Sequence, residues 1–119
     1  FASLIEAPEG GILLHCSAGR DRTGMITAML LHIVGVSIPA IVEDYQWSVQ
    51  AVNEYHAQFQ PAQEPILGTC QLQEWSQKVG QHLAEFLQQV DSRQFLRSRG
   101  LSDHPLRQRL LGDPHEATL

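Results

Sequence analysis

The sequence predicts an α/β domain: a parallel sheet with helices on both faces, of which this chain supplies a mostly helical C-terminal part. Three observations carry this. The run "GILLHC" (11–16) holds three consecutive aliphatic residues, Ile12, Leu13 and Leu14, as in a strand buried on both faces. A six-residue loop (17–22) joins it to "TGMITAMLLHIV" (23–34), apolar nearly all round and so predicted to be a helix inside the domain. Every later apolar repeat has helical spacing.

The strand comes first and is alone. A single strand cannot satisfy its own backbone groups, and a stable sheet takes at least two or three neighbours. The opening "FASLIEAP" is too weak a pattern to be one of them. The 119 residues therefore read as the C-terminal part of a larger domain, occupying 1–112, followed by a tail at 113–119.

The helices follow in order. The helix over 23–34 is closed by Gly35 as its C′ residue. A second runs over about 39–59, with Pro39 in its first turn and Ile41, Tyr45, Val49, Val52 and His56 on one face. Pro61 ends it, and "PAQEPILGTC" is a loop with two prolines. A third, about 71–90, carries the stripe Leu72, Trp75, Val79, Leu83, Phe86, Leu87 and Val90. A short helix over 92–99 stops at Gly100. The last, 103–111, has Ser102 as N-cap, a Leu101–Leu106 staple and arginines in its final turn.

Composition narrows the function. The chain is 43% apolar and 18% charged, an ordinary globular balance. A net charge of −5 argues against a nucleic-acid or membrane-surface binder, which needs a basic face. No apolar run spans a bilayer, so no integral membrane segment is expected. Two cysteines, Cys16 and Cys70, are too few for a disulfide framework. They point to a reducing compartment, the cytoplasm; a signal peptide, if there is one, would precede Phe1.

Against that acidic background stands "HCSAGRDRTG" (15–24), with three consecutive charged residues, Arg20, Asp21 and Arg22, placed where strand hands over to helix. A loop wrapped onto a helix N-terminus turns its amides inward and forms an anion site. Ser17, Ala18 and Gly19 are small enough to let it curl. Arg22 returns to its mouth with a planar fork matched to phosphate. Cys16 lies on its floor, where amides and cations favour the thiolate. The pattern gives a nucleophile aimed at phosphorus. His15 is placed to fix the Cys16 backbone, and Thr23 to offer its hydroxyl to the sulfur.

These residues resemble the His-Cys-x5-Arg-Ser/Thr signature of the protein tyrosine phosphatase superfamily. Gly19-Arg20-Asp21-Arg22 is similar to the Gly-Lys-Asp-Arg variant of microbial tyrosine phosphatases with dual-specificity and phosphoinositide activity. The segment 82–112, "HLAEFLQQVDSRQFLRSRGLSDHPLRQRLLG", resembles the C-terminal helices of that branch. The resemblance implies a cysteine-dependent phosphatase acting on a phosphorylated protein or phosphoinositide without metal or cofactor. Cys16 would form a phosphocysteine while the loop Ser17, Ala18, Gly19, Arg20, Asp21 and Arg22 binds phosphate. It leaves two sources for the general acid: Asp21, or an aspartate upstream of Phe1. A second reading of Asp21 is a carboxylate paired with Arg20 or a nearby N–H. Arg20, in place of the branch's lysine, keeps positive charge at the rim and suits a doubly phosphorylated or inositol-phosphate substrate.

Other readings carry less. Gly-x4-Gly-Lys-Ser/Thr is absent, so a nucleotide P-loop fails. A rhodanese loop is typically shorter and lacks the Arg-Thr-Gly ending. No spacing suggests a metal site. Cys70 reads as a structural or surface thiol, His32 as a satisfied core or rim histidine, and Asp44 and Tyr45 as helix surface and core. The tail arginines Arg93, Arg97, Arg99, Arg107 and Arg109 read as a solvated face. The rival function is a truncated phosphate-binding module without turnover.

Overall fold

A computed structural model describes residues 1–59 and 64–112. Six helices lie among them: α1 (Ala2–Glu6), α2 (Asp21–Ile33), α3 (Ile38–Ala57), α4 (Thr69–Gln89), α5 (Ser92–Ser98) and α6 (His104–Leu111). The tail at 113–119 lies outside the described residues.

The strand expected over 11–16 is not formed among the described residues. That segment takes no regular structure, and no strand occurs among the described residues. The physical reason is the one given above: a strand exists only through its ladder partners, and this segment has none. Leu13 is left 84% exposed. Residues 2–6 are also helical, where the sequence pattern indicated no element.

α2 is the centre of the packing, as its all-round apolar surface requires. One side of it, through Ala28, meets Ile41 of α3 and Leu83 and Leu87 of α4. The other, through Leu30 and Ile33, meets Leu96 of α5 and Leu106 of α6, with Phe1, Leu4, Ile5 and Leu14 packed around them. Each fully buried leucine or isoleucine removes enough apolar surface to contribute about 1.5–3 kcal/mol.

The C-terminus of α2 is closed from two directions. Gly35 N–H donates to the His32 carbonyl and Val36 N–H to the Leu31 carbonyl, a Schellman arrangement. The Ile33 carbonyl then accepts from Arg93 (Nη2, 3.0 Å) and from Arg107 (Nη1, 2.7 Å). Arg109 donates to the carbonyls of Ala7 and Pro8. These three arginines are therefore not the solvated face that the sequence suggested. They tie α5 and α6 to the end of α2 and to the segment after α1.

Two smaller points differ. The N-cap of α6 is Asp103, one residue later than expected, although the Ser102 hydroxyl does accept from His104 N–H at 3.2 Å. Asp91, not singled out by the sequence pattern, caps α5 by accepting from Arg93 and Gln94 N–H. Those bonds hold its carboxyl below the ordinary range.

Candidate active site

The chain bends through residues 17–20 and enters α2 at Asp21. Gly19 makes the bend with φ 74°, in the left-handed region that favours glycine. The bend brings the N–H groups of Gly19, Arg22 and Thr23 near enough to the Cys16 sulfur to favour its thiolate. His15 Nδ1 stands 3.3 Å from the Cys16 carbonyl oxygen, within range to hold that peptide in place.

Cys16 is half-buried and free of any disulfide. Its pKa is lowered from 9.0 to about 6, most of all by the Thr23 hydroxyl, next by the Thr23 N–H, then by the Gly19 and Arg22 N–H groups; burial opposes them. The direction follows from hydrogen bonds that favour the charged form. The Thr23 hydroxyl is buried and makes no hydrogen bond among the described residues, to sulfur included.

Asp21 is held by Arg20. Arg20 Nε donates to Oδ1 at 2.9 Å and Nη2 to Oδ2 at 3.3 Å, a two-point contact. That contact, with smaller help from Tyr45 and Arg22, keeps the Asp21 carboxyl below its usual range. The guanidinium also reaches Glu64, with Nη1 to Oε2 at 3.1 Å. Glu64 stands in turn 4.0 Å from His56 Nε2. Arg20 is thus turned into a carboxylate pair and does not present a free charge at the rim. Arg22 is exposed.

The structure brings together most of the residues that the sequence singled out. Cys16, Gly19, Arg22 and Thr23 meet at the sulfur. Ser17 and Ala18 lie in the exposed bend between them. Asp44 and Tyr45 of α3 also approach, lining a small crevice with Gly19, Thr23 and Gly24. Trp47 instead lines a separate groove with Gln50, Gln73 and Gln77 of α3 and α4. Cys70 is exposed in the first turn of α4. Glu64 was missed, and no local signal marks it, since its partner lies 44 residues away. His32, by contrast, is satisfied as expected, with Nδ1 3.2 Å from the Ser92 hydroxyl.

Among the described residues no group of three or more His, Cys, Asp or Glu is placed to hold a metal. No described helix is long and apolar enough to cross a membrane.

The loop thus sets a free cysteine, Cys16, just before the N-terminus of α2. Residues 1–111 match the model of the tyrosine phosphatase family, and the chain belongs to that family. It is 36% identical over 61 residues to a tyrosine-protein phosphatase of Nostoc commune, covering 51% of this chain and 19% of that protein. It is 44% identical over 46 residues to the triple specificity protein phosphatase PtpB of Mycobacterium tuberculosis, covering 39% of this chain and 17% of that one. The matched stretches thus span about a fifth of these relatives' length. No solved structure matches the chain.

Proposed function

We propose that the chain carries the catalytic loop of a phosphatase that hydrolyses phosphotyrosine monoesters through a phosphocysteine. The observation that carries this reading is Cys16 standing just before the N-terminus of α2, where the Thr23 hydroxyl and the N–H groups of Thr23, Gly19 and Arg22 draw its pKa down to about 6. In the first step the Cys16 thiolate attacks phosphorus and the P–O bond to the tyrosine oxygen breaks. Arg22 and the amides of residues 17–22 bind the phosphoryl oxygens as charge grows on them. In the second step a water oxygen attacks phosphorus, the P–S bond breaks and the thiolate returns. The Asp21 carboxylate accepts the water's proton, a role suited to the ionised form in which Arg20 holds it.

The same ionised state favours aryl substrates. A phenol oxygen, with a pKa near 10, leaves with less protonation than an alkoxide does. Phosphotyrosine is therefore the preferred substrate over phosphoserine, phosphothreonine or a phosphoinositide. For the fold, we propose that the segment 11–16 is a strand of a parallel sheet whose neighbours lie outside these 119 residues. The exposure of Leu13 supports this.

The test is turnover of para-nitrophenyl phosphate by the chain and by Cys16→Ser. Hydrolysis by the first alone is expected. Binding of vanadate without hydrolysis by either would make the chain a phosphate-binding module instead.

A further inference from the structure

Arg20 is a loop cation whose charge is already taken. Its guanidinium spans two carboxylates, with Asp21 at 2.9 and 3.3 Å and Glu64 at 3.1 and 3.4 Å. Three of its nitrogens are engaged, and its side chain is only 16% exposed, against 40% for Glu64. The contact with Glu64 closes one side of a pocket of about 260 Å³ whose other walls include Val49, Val52, Leu72 and Trp75. The Arg20 side chain is the more sheltered partner, so the pair is screened less than one between two fully exposed side chains.

The charges at the site then sum simply. Arg20 and Arg22 bring two positive charges; Asp21, Glu64 and the Cys16 thiolate bring three negative ones. One phosphate can still be held by Arg22, which is exposed and forms no ion pair among the described residues. A second phosphate close to the first would need another free cation. It would meet instead a guanidinium spanned by Asp21 and Glu64, with both carboxylates repelling it. Asp21 is the immediate chain neighbour of Arg20 and part of the loop, so it is a fixed partner. Glu64 arrives from the segment between α3 and α4 and is the removable one.

We propose that Glu64 is a specificity-determining residue: it masks Arg20 and restricts the site to substrates with a single phosphate near the scissile bond. This rests on the phosphatase reading above and extends it to substrate choice. The Arg20 fork would suit a second phosphate if it were free, since two parallel N–H donors match two phosphate oxygens. Removing the Glu64 charge while keeping its shape frees Nη1 for that purpose. The gain expected is that of a partly exposed ion pair, about five-fold in affinity.

The experiment compares the wild-type chain, Glu64→Gln and the double variant Glu64→Gln/Arg20→Ala on two peptides. One carries phosphotyrosine alone; the other carries phosphotyrosine with a phosphoserine beside it. Glu64→Gln is expected to lower KM for the doubly phosphorylated peptide about five-fold relative to the single one, with kcat for the single one held within two-fold. The relative gain should vanish in the double variant. The same comparison of Kd in a Cys16→Ser background reads binding without turnover. An unchanged ratio in Glu64→Gln, or a gain that survives loss of Arg20, overturns the proposal. Wild-type turnover that depends on Cys16, together with an unchanged ratio, overturns the Glu64 assignment alone. Absence of that turnover removes the phosphatase reading and this proposal with it.

Discussion

The Thr23 hydroxyl, the strongest influence lowering the Cys16 pKa, is buried and makes no hydrogen bond among the described residues. A buried hydroxyl without a partner costs free energy, so the site gains when the sulfur is charged and can accept. Thr23→Val should therefore raise the Cys16 pKa from about 6 toward 9.0. The check is the pH dependence of Cys16 alkylation, whose midpoint should move up. The thiolate also stabilises the fold, because its folded pKa lies below its unfolded value. That contribution is complete above pH 9.0 and is lost as pH falls through about 6. Thr23→Val should accordingly lower Tm more at pH 9 than at pH 5.

Arg22→Ala should reduce kcat on para-nitrophenyl phosphate by about 10²–10³-fold, the effect of losing one preorganised donor to the transferring group. Arg22→Lys should restore little, since an ammonium lacks the planar fork. Steady-state kinetics on the three proteins decides this.

Gly24→Ala tests how α3 meets the loop. A Cβ at that position would stand 2.5 Å from Tyr45 Cε2 and 2.7 Å from Cδ2, so the ring must move. Tyr45 helps hold Asp21 ionised. The expected outcome is a ten-fold or larger fall in kcat, roughly what displacing one proton-transfer group costs, while the far-ultraviolet circular dichroism stays unchanged.

Arg107→Ala should destabilise the chain by about 1–3 kcal/mol, because it takes the 2.7 Å bond from the Ile33 carbonyl. Leu96→Ala, which empties a fully buried position beside Ile33, should cost about 2–5 kcal/mol. Urea unfolding followed by circular dichroism measures both.

The loop was legible in the sequence because its parts are neighbours in the chain. Cys16, Gly19, Arg22 and Thr23 span one bend and the first turn of α2, so spacing alone brings them to one point. Helices α2 to α6 were legible for a related reason, since their apolar repeats are local; each of these five begins and ends within a few residues of its expected bounds. What stayed hidden depends on distant partners. The segment 11–16 needs other strands to become one, and no pattern inside it supplies them. The Glu64–Arg20 contact joins residues 44 apart. Arg93 and Arg107 find the Ile33 carbonyl 60 and 74 residues away. An arginine's sequence neighbours do not reveal whether its long side chain ends in water or on a buried carbonyl.

The most direct test of the account is to acid-quench the chain during turnover of an aryl phosphate and map the phosphoryl group by peptide mass spectrometry. The account predicts a phosphoryl group on Cys16 that disappears on chase with water. Sustained hydrolysis with no label on Cys16, or with the label on another residue, would contradict it.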